Sequence, residues 1–238
     1  MASLIVFDSG VGGRSVAHAI ARHLPEVAIE FVTDPDGFPY GAWEVAALRD
    51  RVVRVIGEAL DRIPADAVVI ACNTATTAAL DALRAAYRVP FIGTVPGIKP
   101  AVAATRTGVI GLLATDGTIG RAYTTDLIAR FAAPVTVVPV ASRKLAAIAE
   151  AKLAGAAVDR AAVVGEIAPL FEREGPTVDT VVLGCTHYPL LLRELQGAAM
   201  SLGAGRLTWI DTGPAIARQV ARVLARVPAE SASGPDSR

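Results

Sequence analysis

Cysteine is nearly absent from this chain: only Cys72 and Cys185 occur among 238 residues. Two thiols rule out a disulfide-stapled scaffold, and neither belongs to a C-x-x-C pair, which removes a thioredoxin-like redox centre. Histidine is as scarce, at His18, His23 and His187, with no spacing that would gather metal ligands. Lysine occurs only at Lys99, Lys144 and Lys152, none in a context that suggests a Schiff base. The formal net charge is zero and the arginines are scattered, which argues against nucleic acid or a membrane surface as partner. No apolar run approaches the roughly 18 residues of a membrane helix. The start of the chain enters an apolar LIVF run directly, without the charged region and cleavage site of a secretory signal. These absences lead us to expect a soluble cytoplasmic protein that uses no metal and no cofactor.

Apolar residues are abundant instead. They make up 53% of the chain against 19% charged, a balance suited to strands buried on both faces of parallel sheets. Short apolar runs alternate with longer helical patterns, the signature of βαβ units. Strands are expected at residues 4–7, 29–32, 67–71, 91–92, 108–113, 136–140, 180–183 and 207–210. Helices are expected at 14–23, 43–62, 77–86, 118–130, 145–154, 160–174, 190–201 and 214–227, the last stopped by Pro228. Residues 229–238 read as a disordered tail.

The two cysteines occupy the same place in two copies of one phrase. Residues 66–74 read DAVVIACNT and residues 179–187 read DTVVLGCTH, about half the chain apart. The echo continues: LIVFDSG near the start returns as IGLLATDG, VIGEAL as VVGEIAPL, and FIGT as WIDT. We therefore expect an α/β fold of two similar domains with parallel sheets, facing each other across a cleft that holds the active site. Residues 1–95 plus 210–228 would form the first and 96–209 the second, with PGIKPA (96–101) at the crossing. Ligands bind at the carboxyl ends of parallel strands, where both cysteines fall.

Free cysteine is most often a small buried hydrophobe. Here each leaves a buried strand for a polar loop, beside Asn73–Thr74 and Thr186–His187, where packing does not require a thiol. A reaction that uses two thiols is stereoinversion next to a carboxylate: one thiolate removes the Cα proton while the opposite thiol supplies another. A resting thiol must be tuned toward thiolate by a base or a helix N-terminus. Asp8 and His187 are the sequence candidates for that help, because each also follows a strand.

FDSGVGG (7–13) could be read as a dinucleotide fingerprint, with Asp34 at about the ribose-binding distance. The third glycine is missing, however, and Asp8 would set negative charge beside a pyrophosphate. Ser9 and the glycine amides suit a small carboxylate at a helix start. FPYG (38–41) and ATDGT (114–118) are ordinary turn sequences alone, but they supply hydroxyls and amides to the same cleft rim. Such neutral donors can hold an amino-acid carboxylate without an arginine clamp.

DSGVGG, PYG, ACNTAT, ATDGT and GCTHYPLL, in this order, resemble the glutamate racemases of the aspartate/glutamate racemase superfamily over residues 4–225. The resemblance implies a pseudo-twofold relation between the two domains. It also implies cofactor-independent, two-base interconversion of L- and D-glutamate, supplying D-glutamate for peptidoglycan. Carried over by position, Cys72 would deprotonate the D-enantiomer and Cys185 the L-enantiomer. Asp8 would assist the first and His187 the second, with Glu150 as an auxiliary. Substrate would be held by Asp8, Ser9, Tyr40, Gly41, Asn73, Thr74, Thr186 and His187, and more weakly by Thr115, Gly117 and Thr118. The small-molecule substrate is the only partner implied, and a homodimer is left open.

The chain departs from the family pattern at Arg14, usually apolar, and at VASRK (140–144), where many members carry Cys-Pro. It also starts seven residues before Asp8, without the N-terminal extension that accompanies activation by a cell-wall precursor in some members. Such regulation is not expected. Aspartate racemisation is the nearest rival, and decarboxylation or cis–trans isomerisation occurs elsewhere in the superfamily. The paired cysteines favour racemisation. A non-catalytic binding protein for acidic amino acids would need no thiol.

Overall fold

Strand β1 (Ser3–Asp8) is buried along nearly its whole length, and the reason is its position inside a parallel sheet covered on both sides. A computed structural model of the protein describes residues 1–226. The expected disordered tail and the stop at Pro228 lie outside the described residues. After β1 come α1 (Arg14–His23), β2 (Ala28–Thr33), α2 (Val45–Leu60), β3 (Ala67–Ile70), α3 (Asn73–Ala86) and β4 (Phe91–Gly93). These strands form one sheet in the order β2-β1-β3-β4, every pair parallel.

The chain then crosses into a second unit of the same design. Here α4 (Ile98–Ala104), β5 (Val109–Ala114), α5 (Asp116–Ile119), α6 (Ala122–Phe131), β6 (Thr136–Ala141), α7 (Leu145–Leu153), α8 (Arg160–Ile167), β7 (Thr180–Gly184), α9 (Leu192–Ser201) and β8 (Thr208–Ile210) follow in turn. Its sheet order, β6-β5-β7-β8, repeats that of the first, again all parallel. Finally α10 (Gly213–Leu224) returns to lie beside α1, packing Ile216, Ala217 and Val220 with Val16 and Ile20. The expected α/β fold with two similar parallel sheets is what the structure has.

Each sheet has two apolar layers because side chains alternate along a strand. Ile5 and Phe7 face the layer under α2 and α3, while Leu4 and Val6 face α1 and α10. In the second unit Leu113 and Val181 face α8 and α9, and Ile110 and Leu112 face α4. These layers fix the central strands, so the loops after β1, β3, β5 and β7 are held at the carboxyl ends of the two sheets, where residues from all four line one pocket.

Several helix limits differ from the sequence pattern. The helix expected from residue 77 starts at Asn73, because the Cys72 side chain caps it by accepting from the Ala75 amide at 3.5 Å. The helix expected over 118–130 is two pieces: α5 ends at Ile119 with Gly120 as its C-cap, and Arg121 is the N-cap of α6, with its guanidinium turned back to the Gly117 carbonyl at 2.8 Å. Residues 160–174 are helical only to Ile167, followed by a 3-10 turn containing Pro169. Likewise a 3-10 turn with Pro189 precedes α9. The second half of PGIKPA begins α4, whose Ile98 and Ala101 join the core beneath the second sheet.

Candidate active site

The registers make the two halves comparable residue by residue. Leu4 lies opposite Ala67 in the first sheet, and Ile110 opposite Thr180 in the second. Counting outward from those pairs, Cys72 corresponds to Cys185, Asn73 to Thr186 and Thr74 to His187. Asp8 corresponds to Ala114 and Ser9 to Thr115. The thiols match while their neighbours differ.

Both thiols open onto one enclosed space, lined also by Ser9, Asn73, Thr74, Thr115, Thr186 and His187. Phe38, Pro39, Tyr40 and Gly41 form one wall and Ala146 part of another. Cys72 and Cys185 are free and buried. The cavity is about 20 Å³, space for roughly one water. An amino acid is larger, so the lining residues must shift to admit one.

On the Cys72 side, the Ser9 hydroxyl lies 3.9 Å from the sulfur and donates to Asp8 Oδ1 at 3.3 Å. Asp8 also accepts from the Gly10 amide at 3.1 Å and, across the cleft, from the Thr186 hydroxyl at 2.7 Å. Its carboxylate is completely buried, and that burial raises its pKa in spite of these donors and the nearby His187. Burial, with the Asp8 charge adding to it, pushes the Cys72 thiol up to about 12.

The Cys185 side carries an imidazole instead. His187 Nδ1 is 3.7 Å from the Cys185 sulfur, and His187 Nε2 is 2.8 Å from Glu150 Oε1. The same Glu150 oxygen accepts from the Val11 amide of the first half at 2.7 Å. Residue 12 must be glycine for this approach, since a Cβ there would lie 2.5 Å from His187 Nδ1 and 2.7 Å from the Thr186 hydroxyl. Burial also raises the Cys185 thiol. Burial thus works against ionisation of both thiols, opposing the tuning toward thiolate expected from the sequence. Desolvation outweighs the helix N-terminus at Cys72 and the backbone donors at Cys185.

The remaining expected residues divide. Thr74, Thr115 and Thr118 form a hydroxyl triangle across the cleft, at 2.9, 3.2 and 3.1 Å. Thr118 sits behind the cavity and Gly117 packs against Gly41 and Thr74 at the seam. The Asn73 amide is buried with no hydrogen-bond partner on either its nitrogen or its oxygen. Tyr40 lines the cavity, but its hydroxyl is turned to Asp34 at 2.5 Å. Phe38, Pro39 and Ala146 were not singled out by the sequence; FPYG was the only signal for the first two. Arg14 is exposed at the helix start. Among the described residues, no group of three His, Cys, Asp or Glu is placed to hold a metal, and no helix is long and apolar enough to cross a membrane.

Two parallel α/β units that bring one thiol each to a shared cleft define a racemase framework. The model of the Asp/Glu/Hydantoin racemase family matches residues 13–220, and the chain belongs to that family, an isomerase of the amino-acid racemase class. Among its relatives is the glutamate racemase of Brucella anthropi, 45% identical over 93% of this chain and 79% of the relative. Among solved structures, Escherichia coli glutamate racemase in complex with L-glutamate and the activator UDP-MurNAc-ala is similar at TM-score 0.89 and 40% identity, covering 98% of this chain and 86% of that one. Glutamate racemase isoform RacE1 of Bacillus anthracis aligns at TM-score 0.80 and 33% identity, over 94% of this chain and 82% of its own.

Proposed function

We propose that the protein interconverts L- and D-glutamate by a two-thiol mechanism and supplies D-glutamate for peptidoglycan in the cytoplasm. The observation that carries this reading is the pair of buried thiols, one from each half, facing a single cavity. Glutamate is favoured over aspartate because relatives 45% identical to this chain are glutamate racemases. The substrate's carboxylates would be held by neutral donors: the Asn73 amide, the hydroxyls of Ser9, Thr74, Thr115 and Thr186, and nearby backbone N–H groups.

In the D-to-L direction, Cys72 as thiolate removes the Cα proton, and the Cys185 thiol gives its proton to the opposite face. The turnover leaves Cys72 as thiol and Cys185 as thiolate, ready for the reverse reaction. Asp8 and Cys72 repel each other's charge, so one negative charge is shared between them. Moving the thiol proton to Asp8 through the Ser9 hydroxyl frees the thiolate without burying a second anion, and the raised pKa of Asp8 suits it to accept. At Cys185 the imidazole of His187 takes the proton and Glu150 balances its charge.

The test is incubation of each enantiomer of glutamate and of aspartate without added cofactor, followed by chiral separation. Inversion of glutamate from both directions is expected. Inversion of aspartate alone, or of neither amino acid, would overturn the assignment.

A further inference from the structure

A group of buried and half-buried polar side chains lies directly behind the 38–41 wall. Asp34, just after β2, is 6% exposed and accepts from Tyr40 Oη at 2.5 Å and from Arg51 Nε and Nη2, both at 2.6 Å. Arg51 reaches it from α2. The guanidinium lies 5.3 Å from the centre of the Trp43 ring, and the Trp43 indole N–H donates to the Gly37 carbonyl at 2.8 Å. Glycine is required at 37, since a Cβ there would run into the Asp34 carboxylate and come within 2.5 Å of Arg51 Nε. Burial opposes the Asp34 charge, but the Arg51 fork and the Tyr40 hydroxyl outweigh it and hold its carboxyl below the usual range. Burial, reinforced by Asp34, pushes the Tyr40 phenol far up, so the group stays carboxylate, guanidinium and neutral phenol.

Asp34, Arg51 and Trp43 do not line the thiol cavity; the four residues they brace, Phe38 to Gly41, all do. The Phe38 ring lies 5.5 Å from that of His187, and Gly41 abuts Thr115 of the second half. The wall therefore meets the helper of one thiol and the seam between the halves, yet it is a loop with no regular structure beyond 3-10 turns at Pro35–Gly37 and Tyr40–Ala42. A bidentate carboxylate–guanidinium pair has one preferred geometry and can fix such a loop. Resting on the two-thiol reading above, we propose that Asp34 and Arg51 are positioning residues. Through Tyr40 and Trp43, their pair sets the 38–41 wall that closes over the substrate between the thiols.

The experiment compares Arg51→Lys, which keeps the charge but loses the fork, Asp34→Asn, which keeps the shape but loses the charge, and Tyr40→Phe, which removes one bond. Amide hydrogen exchange and steady-state racemisation are measured on each full-length protein. Exchange at residues 37–43 is expected to accelerate while β1 and β3 keep their protection. In the same variants kcat/KM for both glutamate enantiomers should fall about 10- to 10²-fold, since the wall faces both thiols and small misplacements at a distance carry that cost. Unchanged protection at 37–43, unchanged kcat/KM, or a uniform loss of protection across the sheet would each overturn the proposal. Should a charge variant not fold, Tyr40→Phe decides by the same two readouts. Failure of the racemase reading would appear separately, as no inversion by the wild-type protein; protection at 37–43 then judges the cluster alone.

Discussion

The two thiol half-sites stand on equivalent strands, yet the polar groups beside each thiol differ. The first half has Asp8 where the second has Ala114, and the second has His187 where the first has Thr74. Cys72 thus lies beside a serine hydroxyl that donates to a carboxylate, and Cys185 beside an imidazole that contacts Glu150. A symmetric frame thus carries an asymmetric pair. The Asp8 charge already raises Cys72, and a second carboxylate at position 114 would bury another anion beside the same space. The helpers are also held across the cleft: Asp8 accepts from Thr186, and Glu150 accepts from the Val11 amide. Each half therefore completes the other's site.

The largest effect expected comes from removing either thiol. Cys72→Ala and Cys185→Ala should each lower inversion of glutamate by about 10³-fold or more in both directions, because a two-base reaction needs both groups. Chiral analysis of the product measures this, and near-normal turnover in either variant would dissolve the comparison. Next come the helpers. His187→Gln should reduce kcat by about 10²-fold, with the greater loss from L-glutamate, where Cys185 must start as thiolate. Asp8→Asn should show the opposite bias. Equal losses from both enantiomers in both variants would mean that the helpers are not divided between the thiols.

Asp8 and Asp34 sharpen the contrast through stability. The folded pKa of Asp8 lies above its unfolded value, so its burial becomes a cost as pH rises through that interval. Asp8→Asn should therefore raise Tm at neutral pH, by about 2–4 °C per kcal/mol relieved, and leave it unchanged in acid below the unfolded pKa. Asp34 is shifted the other way. It contributes stability above the unfolded pKa that is lost as pH falls through the lower folded value, so Asp34→Asn should lower Tm at neutral pH. Melting curves between acid and neutral pH test both signs. The smallest effect expected is that of Thr115→Val, which removes one neutral hydroxyl from the cross-cleft triangle. KM for glutamate should rise about fivefold, as expected for a hydrogen bond worth about 1 kcal/mol, with kcat nearly unchanged.

Much of this frame is legible in the sequence because its signals are local. Strands buried on both faces read as apolar runs, and the repeated cysteine phrase places the thiols at matching strand ends. Two kinds of feature are not local. The helix start at Asn73 depends on the Cys72 thiol acting as a cap, which a polar ACNTAT stretch does not announce. The role of Asp34 depends on Arg51, which reaches it from the next helix, so spacing alone suggested a ribose ligand. The resting state of the thiols was also hidden. Motifs name the neighbours of a cysteine, whereas desolvation by the closed cleft decides its protonation.

The central claim is that two unequal half-sites divide proton removal and proton delivery between opposite faces of the substrate, and the position of deuterium tests it most directly. L-Glutamate is incubated in deuterated water and both enantiomers are recovered at early conversion. The account predicts D-glutamate carrying deuterium at Cα, delivered by Cys72, while the remaining L-glutamate keeps its original hydrogen. The reverse experiment should give the mirror result through Cys185. Product that retains the original hydrogen, or unreacted substrate labelled as fast as product, would mean that a single base serves both faces and would contradict the account.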